Sequence, residues 1–238
     1  MAHHINNLLL QAFSTEGREQ LLIQCDEQSL SRGDRICRPG DDLAYVHFIE
    51  DGLLSVVQST GHRELEVGLI GFEGFSGLPA VMNSRQSPFL IFVQSESARV
   101  LRVSADVLLA VLGRRDADMA VLRRYCFAFL VQVSANARAA ARFTLEQRLA
   151  RWILMAHDRT DGDEIHMTHQ FLASMLGVRR AGVTVATHAL EGYGFIRAKR
   201  MALRVRDRAG LEAFAMDAYG GAETEYERLI GSAPRLTT

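Results

Sequence analysis

The sequence predicts an α+β chain: an N-terminal antiparallel β roll, one long helix, and a C-terminal helix-turn-helix followed by a β-hairpin. Residues 34–104 break into short alternating runs separated by turn residues, which is typical of many short strands. Residues 116–143 contain no proline or glycine and repeat apolar side chains at helical spacing. Residues 167–196 hold two short amphipathic segments on either side of a glycine. A chain of 238 residues is long enough to form two modest cores around these elements.

The charged residues are divided unevenly along the chain. The formal net charge is −1, but residues 1–113 carry 8 basic and 14 acidic side chains, whereas residues 140–210 carry 12 basic and 7 acidic ones. Binding to the phosphates of DNA requires Lys and Arg on one face. A basic surplus confined to one segment therefore predicts that the C-terminal half alone contacts double-stranded DNA.

Composition and motifs argue against several other classes of protein. No leader-like segment and no apolar run of about 18 residues is found, which predicts a cytoplasmic protein without a membrane partner. The cysteines Cys25, Cys37 and Cys126 are widely spaced and odd in number, which predicts reduced thiols rather than disulfides. The polar residues around 157–169 fit neither a calcium loop nor a zinc helix, so no metal site is predicted. Because no phosphate-binding loop, HExxH or GxSxG motif occurs, we expect no enzymatic activity.

The β roll is preceded by two short helices, predicted at 6–13 and 16–24. Within the roll, the runs 43–49 and 53–58 predict a hairpin, because Asp51-Gly52 between them tolerates the positive φ angles of a tight turn. Further strands are predicted at 65–70, 89–94 and 99–103.

A helix predicted at 106–112 ends at Gly113, and the long helix follows it at 116–143. Its apolar positions recur with alternating spacings of three and four, a heptad pattern that lays one stripe along a partner helix. The predicted dimerisation seam, in which a polar Asn136 sets the register, consists of Met119, Leu122, Cys126, Phe129, Val133, Asn136 and Ala140. The alternative is that this stripe packs against the chain's own domain.

An amphipathic helix predicted at 145–157 starts the second core, and the segment 167–196 follows it. Thr168 is suited to cap the first helix of this segment. Gly177 adopts left-handed backbone angles at little cost and allows the sharp turn that follows. The second helix, predicted at 179–190, turns an apolar face inward and leaves its other face free.

The free face of the second helix begins with arginines at its N-terminus, where a recognition helix meets base edges. An arginine there grips guanine through O6 and N7 or holds a phosphate, and both roles stay open for Arg179 and Arg180. A basic hairpin, 195–205, follows and is suited to contact the DNA backbone beside the groove. The residues predicted to contact DNA are Thr168, His169, Gln170, Arg179, Arg180, Thr184, Thr187, His188, Arg197, Lys199 and Arg200.

Gly182 lies inside the second helix, where a glycine costs about 1 kcal/mol relative to alanine. This leaves an alternative function open, in which the helix-turn-helix only packs and the N-terminal module acts on a protein partner.

The segment from Thr168 to Ile196 resembles the winged helix-turn-helix of the Crp/Fnr regulators, through Leu172, Ala173, Leu176, Gly177, Val178, Arg180, Val183, Leu190 and Gly194. Upstream, residues 45–52 and 68–77 resemble the cyclic-nucleotide-binding jelly roll of the same family. The resemblance implies a sensory domain at 1–113, a dimerisation helix at 114–143, and a winged helix-turn-helix domain with a C-terminal tail at 144–238. It also implies a homodimer that binds a palindromic operator, responds to an unknown signal and contacts RNA polymerase.

The residues that anchor cyclic nucleotides in that family are missing from this chain. Leu78-Pro79 stands where the family has a Glu for the ribose, and no Arg-Ser pair follows for the phosphate, so we expect no cyclic-nucleotide cofactor. Three scattered cysteines do not match the four thiolates of an iron-sulfur cluster. His3, His4 and His47 are conceivable haem ligands, but single histidines are seldom ligands. A pocket for a different effector is predicted around Gly74, Gly77, Leu78, Arg85 and Ser87.

Overall fold

Capping side chains define the two short helices at the start of the chain. Asn7 caps α1 (Leu8–Ala12) and Ser14 caps α2 (Thr15–Leu22), each accepting a hydrogen bond from a backbone N–H of the first turn. These bounds come from a computed structural model that describes residues 5–60 and 63–232. Both predicted N-terminal helices are confirmed with slightly shifted ends.

The strands of the β roll lie in two antiparallel sheets packed around one core. The strands are β1 (Asp26–Ser31), β2 (Arg35–Cys37), β3 (Tyr45–Asp51), β4 (Leu54–Thr60), β5 (Arg63–Ile70), β6 (Leu90–Val93) and β7 (Ser97–Ser104), with the short helix α3 (Leu78–Val81) between β5 and β6. One sheet has the order β1-β7-β3 and the other the order β2-β6-β4-β5. This arrangement confirms the predicted jelly roll, although β1 begins before the predicted β region.

The hairpin predicted across Asp51-Gly52 is wrong. β3 pairs with β7, whereas β4 pairs with β5 and β6, so Gly52 lies where the chain crosses from one sheet to the other. Gly52 has a φ of +88°, and a Cβ at this position would lie 2.5 Å from the Ser97 carbonyl oxygen. A glycine is therefore required by a close crossing of two backbone segments rather than by a two-residue hairpin turn.

The long helix α5 (Asp116–Arg142) follows α4 (Ala105–Leu112), and both confirm predicted helices. The face of α5 that was predicted to meet a partner lies largely inside the chain. The buried members of that seam are Met119, Leu122, Cys126 and Phe129. Because α5 carries apolar side chains on more than one side, its spacing alone did not reveal which side covers the chain's own core.

Asn136 also makes its hydrogen bonds within this chain, whereas the prediction was that it sets the register against a partner helix. Its Nδ2 donates to the Val67 carbonyl oxygen at 3.0 Å, and its Oδ1 accepts from Arg151. Of the remaining seam residues, Val133 is half-buried and Ala140 is exposed. The alternative in which the stripe packs on its own domain therefore describes the structure better.

The second core is centred on α6 (Leu145–His157), which starts at a capping box formed by Thr144 and Gln147. The helices packed around α6 are α7 (His169–Leu176), α8 (Arg180–Gly192) and α9 (Arg208–Ala215). A small antiparallel sheet of β8 (Glu164–His166), β9 (Ile196–Lys199) and β10 (Ala202–Val205) has the order β8-β10-β9. The β9-β10 pair confirms the predicted hairpin wing, whereas β8 was not predicted.

The last helix, α10 (Gly221–Ile230), packs against α5 and not within the second core. Tyr226 belongs to the N-terminal core, and its Oη donates to the Glu73 carbonyl oxygen at 2.6 Å. The C-terminal tail, which the resemblance put with the DNA-binding domain, thus returns to the N-terminal domain. None of the described helices is both long and apolar enough to cross a membrane.

Buried side-chain contacts join the two cores. Arg159, just beyond the end of α6, places its Nε 2.8 Å from Glu73 Oε1, and the two side chains are 3% and 2% exposed. Trp152 Nε1 donates to Glu66 Oε1 at 2.6 Å, which ties α6 to β5. The helix-turn-helix is therefore held against the N-terminal domain by charged and polar groups as well as by apolar packing.

Candidate nucleic-acid interface

A capping threonine and a left-handed glycine set the angle between α7 and α8. Thr168 Oγ1 accepts a hydrogen bond from the Phe171 amide at 3.1 Å and thereby starts α7. Gly177 ends α7 with a φ of +66°, and the Val178 amide returns to the Ala173 carbonyl oxygen at 2.9 Å. The predicted helix-turn-helix is confirmed, and α8 begins at a position fixed by this turn.

The second helix of the motif, α8, turns one face to the core and the opposite face to solvent. Val183, Ala186 and Leu190 are buried, as predicted. The exposed side chains of the outer face are Arg180, Ala181, Val185 and His188. Arg179, which precedes the helix, is exposed as well. The outer face therefore combines cationic and small apolar side chains at the end of the helix that follows the turn.

The prediction that Thr187 contacts DNA is wrong. Its side chain is fully buried, and Oγ1 has no hydrogen-bond partner among the described residues. At 3.6 residues per turn, position 187 falls on the same side as Val183 and Leu190. Val185, two positions earlier, is 63% exposed on the outer face, and its apolar side chain is suited to contact a thymine methyl group.

His169 joins the two helices of the motif. Its Nδ1 lies 3.1 Å from Thr184 Oγ1, so both side chains already have a contact within the protein. Burial lowers the pKa of His169, and the neighbouring Arg180 and His188 lower it further, which keeps this imidazole neutral at neutral pH. Gln170, one residue on, is exposed and has the freer side chain.

The cations around this face differ in whether a carboxylate already lies beside them. The paired cations of the wing are Arg197 with Glu191 at 3.5 Å, Arg204 with Asp163 at 3.6 Å, and Lys199 with Glu164. Within the described part of this region, the exposed arginines without a carboxylate at ion-pair distance are Arg179, Arg180, Arg200 and Arg206. An unpaired arginine gives up no contact when it meets a phosphate, so these four are the stronger candidates for DNA binding.

The glycines predicted to border an effector pocket serve close packing instead. A Cβ on Gly74 would lie 2.1 Å from Tyr125 Oη, and a Cβ on Gly77 would lie 2.3 Å from the Phe75 ring. Phe75 stacks on Phe48 with 5.3 Å between ring centroids and is fully buried. Aromatic rings therefore fill the interior of the roll at this point.

The other members of the predicted effector pocket have separate contacts within the protein. Arg85 is exposed and pairs with Asp106 on the surface. Leu78 begins α3, and Ser87 is buried with its Oγ accepting from the Phe89 amide. The guanidinium of Arg85 points away from the interior, so it does not replace a missing phosphate anchor.

His47 is buried inside the roll, with its Nδ1 3.2 Å from Ser76 Oγ. Burial lowers the pKa of His47 to about 4, so it is neutral at neutral pH. His3 and His4 lie outside the described residues. All three cysteines are free thiols, and burial raises the pKa of Cys25 to about 12 and that of Cys126 to about 11. These thiols are therefore protonated at neutral pH.

Residues 147–214 match a family model described as the Crp-like helix-turn-helix domain. A comparison of the sequence with curated proteins finds no significant match.

Solved structures are similar over most of the chain. FixK2 from Bradyrhizobium japonicum is 16% identical, with 81% of this chain and 98% of that chain covered at a TM-score of 0.70. The c-di-GMP responsive global regulator CLP from Xanthomonas campestris is 16% identical, covering 81% and 99% at a TM-score of 0.64. A mutant of CooA from Carboxydothermus hydrogenoformans is 15% identical, covering 91% and 98% at a TM-score of 0.63. At these identities the likeness establishes the fold.

Proposed function

We propose that the chain is a transcription regulator that binds a palindromic operator as a homodimer. Its match to the Crp-like helix-turn-helix domain and its likeness in fold to Crp/Fnr regulators support this proposal. Its family match and its fold are those of regulators and not of enzymes. The observation that carries the proposal is the exposed start of α8, where Arg179 and Arg180 have no carboxylate partner among the described residues. In a dimer, a second α8 would stand about 34 Å away, one turn of DNA.

The side chains divide between base edges and phosphates. Arg180, Val185 and His188 project from the outer face of α8 and are assigned to the major groove. Arg200 and Arg206 stand on or beside the wing and are assigned to phosphates. The Crp/Fnr resemblance makes RNA polymerase the expected protein partner and the cytoplasm the expected location, with a signal acting through the N-terminal domain.

Arg180→Ala is expected to weaken specific DNA binding by about 1 to 3 kcal/mol, because a base contact in the major groove is lost. The measurement is fluorescence anisotropy with an operator selected from random DNA, compared with a scrambled duplex. Arg206→Ala, by contrast, should weaken both duplexes alike and reduce the salt dependence, as expected for a phosphate contact. Arg32→Ala, an exposed arginine of the N-terminal domain, is the matched control and should change neither.

Equal, salt-dominated affinity for every duplex, or unchanged operator affinity for Arg180→Ala, would overturn the proposed reading of bases by α8. A footprint without two related half-sites would overturn the palindromic operator.

A second stripe on α5 is available for a partner subunit. Phe127 and Leu130 are 50% and 56% exposed on this helix, and neither covers the chain's own core. The stripe runs on with heptad spacing through Arg123, Ser134, Ala137 and Ala141, all of them exposed. Two large apolar side chains followed by small ones suit close contact with the same helix of a second copy. We therefore assign the dimer seam to this stripe instead of the predicted one.

Leu130→Glu is expected to convert the dimer into a monomer, because it places a charge in the apolar centre of the seam. Sedimentation velocity measures the change, and operator affinity should fall with it because half-sites are then bound one at a time. Ile23→Glu, at an 80% exposed apolar position at the end of α2, is the control and should sediment as the wild type does. A wild-type chain that sediments as a monomer at all concentrations would reject the proposed dimer.

A further inference from the structure

A cavity of about 150 Å³ lies where the sensory domain, the long helix and the helix-turn-helix meet. Its wall combines β5, the C-terminal half of α5, α6 and α7. Most of the lining is apolar, including Val67, Val133, Ala140, Met155 and Met175. A cavity of this volume accommodates a molecule about the size of benzene.

Two arginines line this apolar cavity without an acidic partner. Arg151 is 3% exposed, and its guanidinium donates only to the neutral oxygens of Asn136 and Ala218. Arg148 is half-buried and donates only to the Leu176 carbonyl oxygen at 2.5 Å. No carboxylate lies within ion-pair distance of either guanidinium in the described ranges. A buried guanidinium has more donors than these contacts use, so positive charge is left uncompensated.

Burial affects the pKa of both arginines in the same direction. Burial lowers the pKa of Arg148, and burial is also the largest influence lowering the pKa of Arg151, which Glu223 opposes from a distance. Glu66, the acidic residue of the lining, directs its oxygens to Ser55 and Trp152 instead of to the arginines. The cavity thus offers two arginines on one side and mostly apolar side chains elsewhere, with the oxygens of Glu66 already hydrogen-bonded.

We propose that this cavity binds a small amphipathic carboxylate, an organic monoanion with a short branched or aromatic body. Its carboxylate faces Arg148 and Arg151, and its body lies among the apolar side chains of β5, α5 and α6. A planar guanidinium matches a carboxylate with two parallel hydrogen bonds, and the buried setting strengthens them. Because both domains line the cavity, the ligand contacts the sensory strand β5 and the helix-turn-helix at once. An effect on operator binding rests on the proposed function, whereas ligand binding itself does not.

The chain carries its own reporter for the test. Trp152 lines the cavity and is the single tryptophan of the sequence, so selectively excited tryptophan emission reports on this site. We expect sodium benzoate and sodium isovalerate to change the emission saturably. Benzamide, which has the shape of benzoate without its charge, should bind about tenfold more weakly or worse. The full chain is used without DNA, so failure of the proposed DNA function leaves the titration unaffected.

Substitution of Arg148 distinguishes specific recognition of a carboxylate from nonspecific binding of apolar molecules. Arg148→Met keeps the length of the side chain but removes its charge, and should weaken benzoate at least about tenfold with benzamide little changed. Arg142→Met, an exposed arginine of α5 that does not line the cavity, is the matched control. Circular dichroism checks that each variant is folded. Absence of a saturable response to both carboxylates, or equal affinities for benzoate and benzamide, would overturn the proposal.

Discussion

Arg159→Met is expected to lower the free energy of unfolding by about 3 to 5 kcal/mol, because it leaves the Glu73 carboxylate buried without its partner. The pair is almost completely excluded from water, with Nε and Oε1 2.8 Å apart. Burial lowers the pKa of Arg159, but the carboxylates of Glu73 and Asp158 more than offset this and hold it above its ordinary value. Urea unfolding at neutral pH measures the loss.

The double variant Glu73→Gln/Arg159→Met should recover much of that loss, since no charge is then left buried alone. Arg114→Met, at an exposed arginine between α4 and α5, is the control and should stay within about 0.5 kcal/mol of the wild type. A loss for Arg159→Met no larger than that of the control would mean that the ion pair does not hold the domains together.

Glu66→Gln is expected to stabilise the protein above pH 7 by about 3 kcal/mol and to have little effect near pH 4.5. Burial raises the pKa of Glu66 to about 7, despite the hydrogen bonds from Ser55 and Trp152 that lower it. Ser55 Oγ lies 2.7 Å from both Glu66 Oε2 and Gln94 Oε1, and its single proton serves one of them. A protonated Glu66 supplies the second hydrogen bond, which the glutamine amide also supplies.

The direction in which stability changes with pH follows from the raised pKa of Glu66. The folded chain holds this proton more tightly than the unfolded chain, so the stability that Glu66 contributes is complete below pH 4.5. It is lost as the pH rises to about 7 and is constant beyond that. A tenfold change in proton affinity corresponds to about 1.4 kcal/mol, which gives the expected size.

Unfolding curves of the wild type and of Glu66→Gln, recorded from pH 4.5 to 8, isolate this group because other titrations cancel in the difference. Parallel curves over that whole range would contradict the expected protonation of Glu66.

The helix-turn-helix was predictable because its signals are local. Thr168 caps α7 and Gly177 takes the left-handed backbone, and each acts within a few residues of its own position. The polarity of Thr187 predicts an outward side chain, but the helical period puts position 187 on the inward side with Val183, where it is buried. The same period indicates Val185 as the outward residue, a signal that was present in the sequence.

The pairing of strands and the packing of α5 could not be predicted from such local signals. The crossing at Gly52 depends on which sheet each strand joins, and a turn dipeptide carries no information about that choice. The heptad of α5 is ambiguous for a related reason. Phe129 covers the chain's own core, whereas Phe127 faces solvent, and only the packing of β5 and α10 distinguishes the two sides.

The predicted effector pocket is not found around Gly74 and Gly77, because a glycine leaves room for a neighbouring side chain as readily as for a ligand. Gly74 and Gly77 were assigned to a ligand loop, yet each makes room for a neighbouring aromatic ring. The cavity at the domain junction is lined by four separate elements, so no contiguous sequence motif predicts it. Buried pairs such as Glu73 with Arg159 are equally invisible in sequence, since the partners stand far apart along the chain.

The helix-turn-helix domain is attached to the N-terminal domain at both of its ends, which restricts how it moves. The chain enters this unit from α5 and leaves it through α10, and both helices rest on the same N-terminal core. A domain attached at one end rotates about a single hinge. A domain attached at both ends must release one of its contacts before it rotates. A hydrogen bond from Tyr226 to the Glu73 carbonyl oxygen ties α10 to the N-terminal core, and we expect the amides of α10 to exchange with deuterium earlier than those of α5.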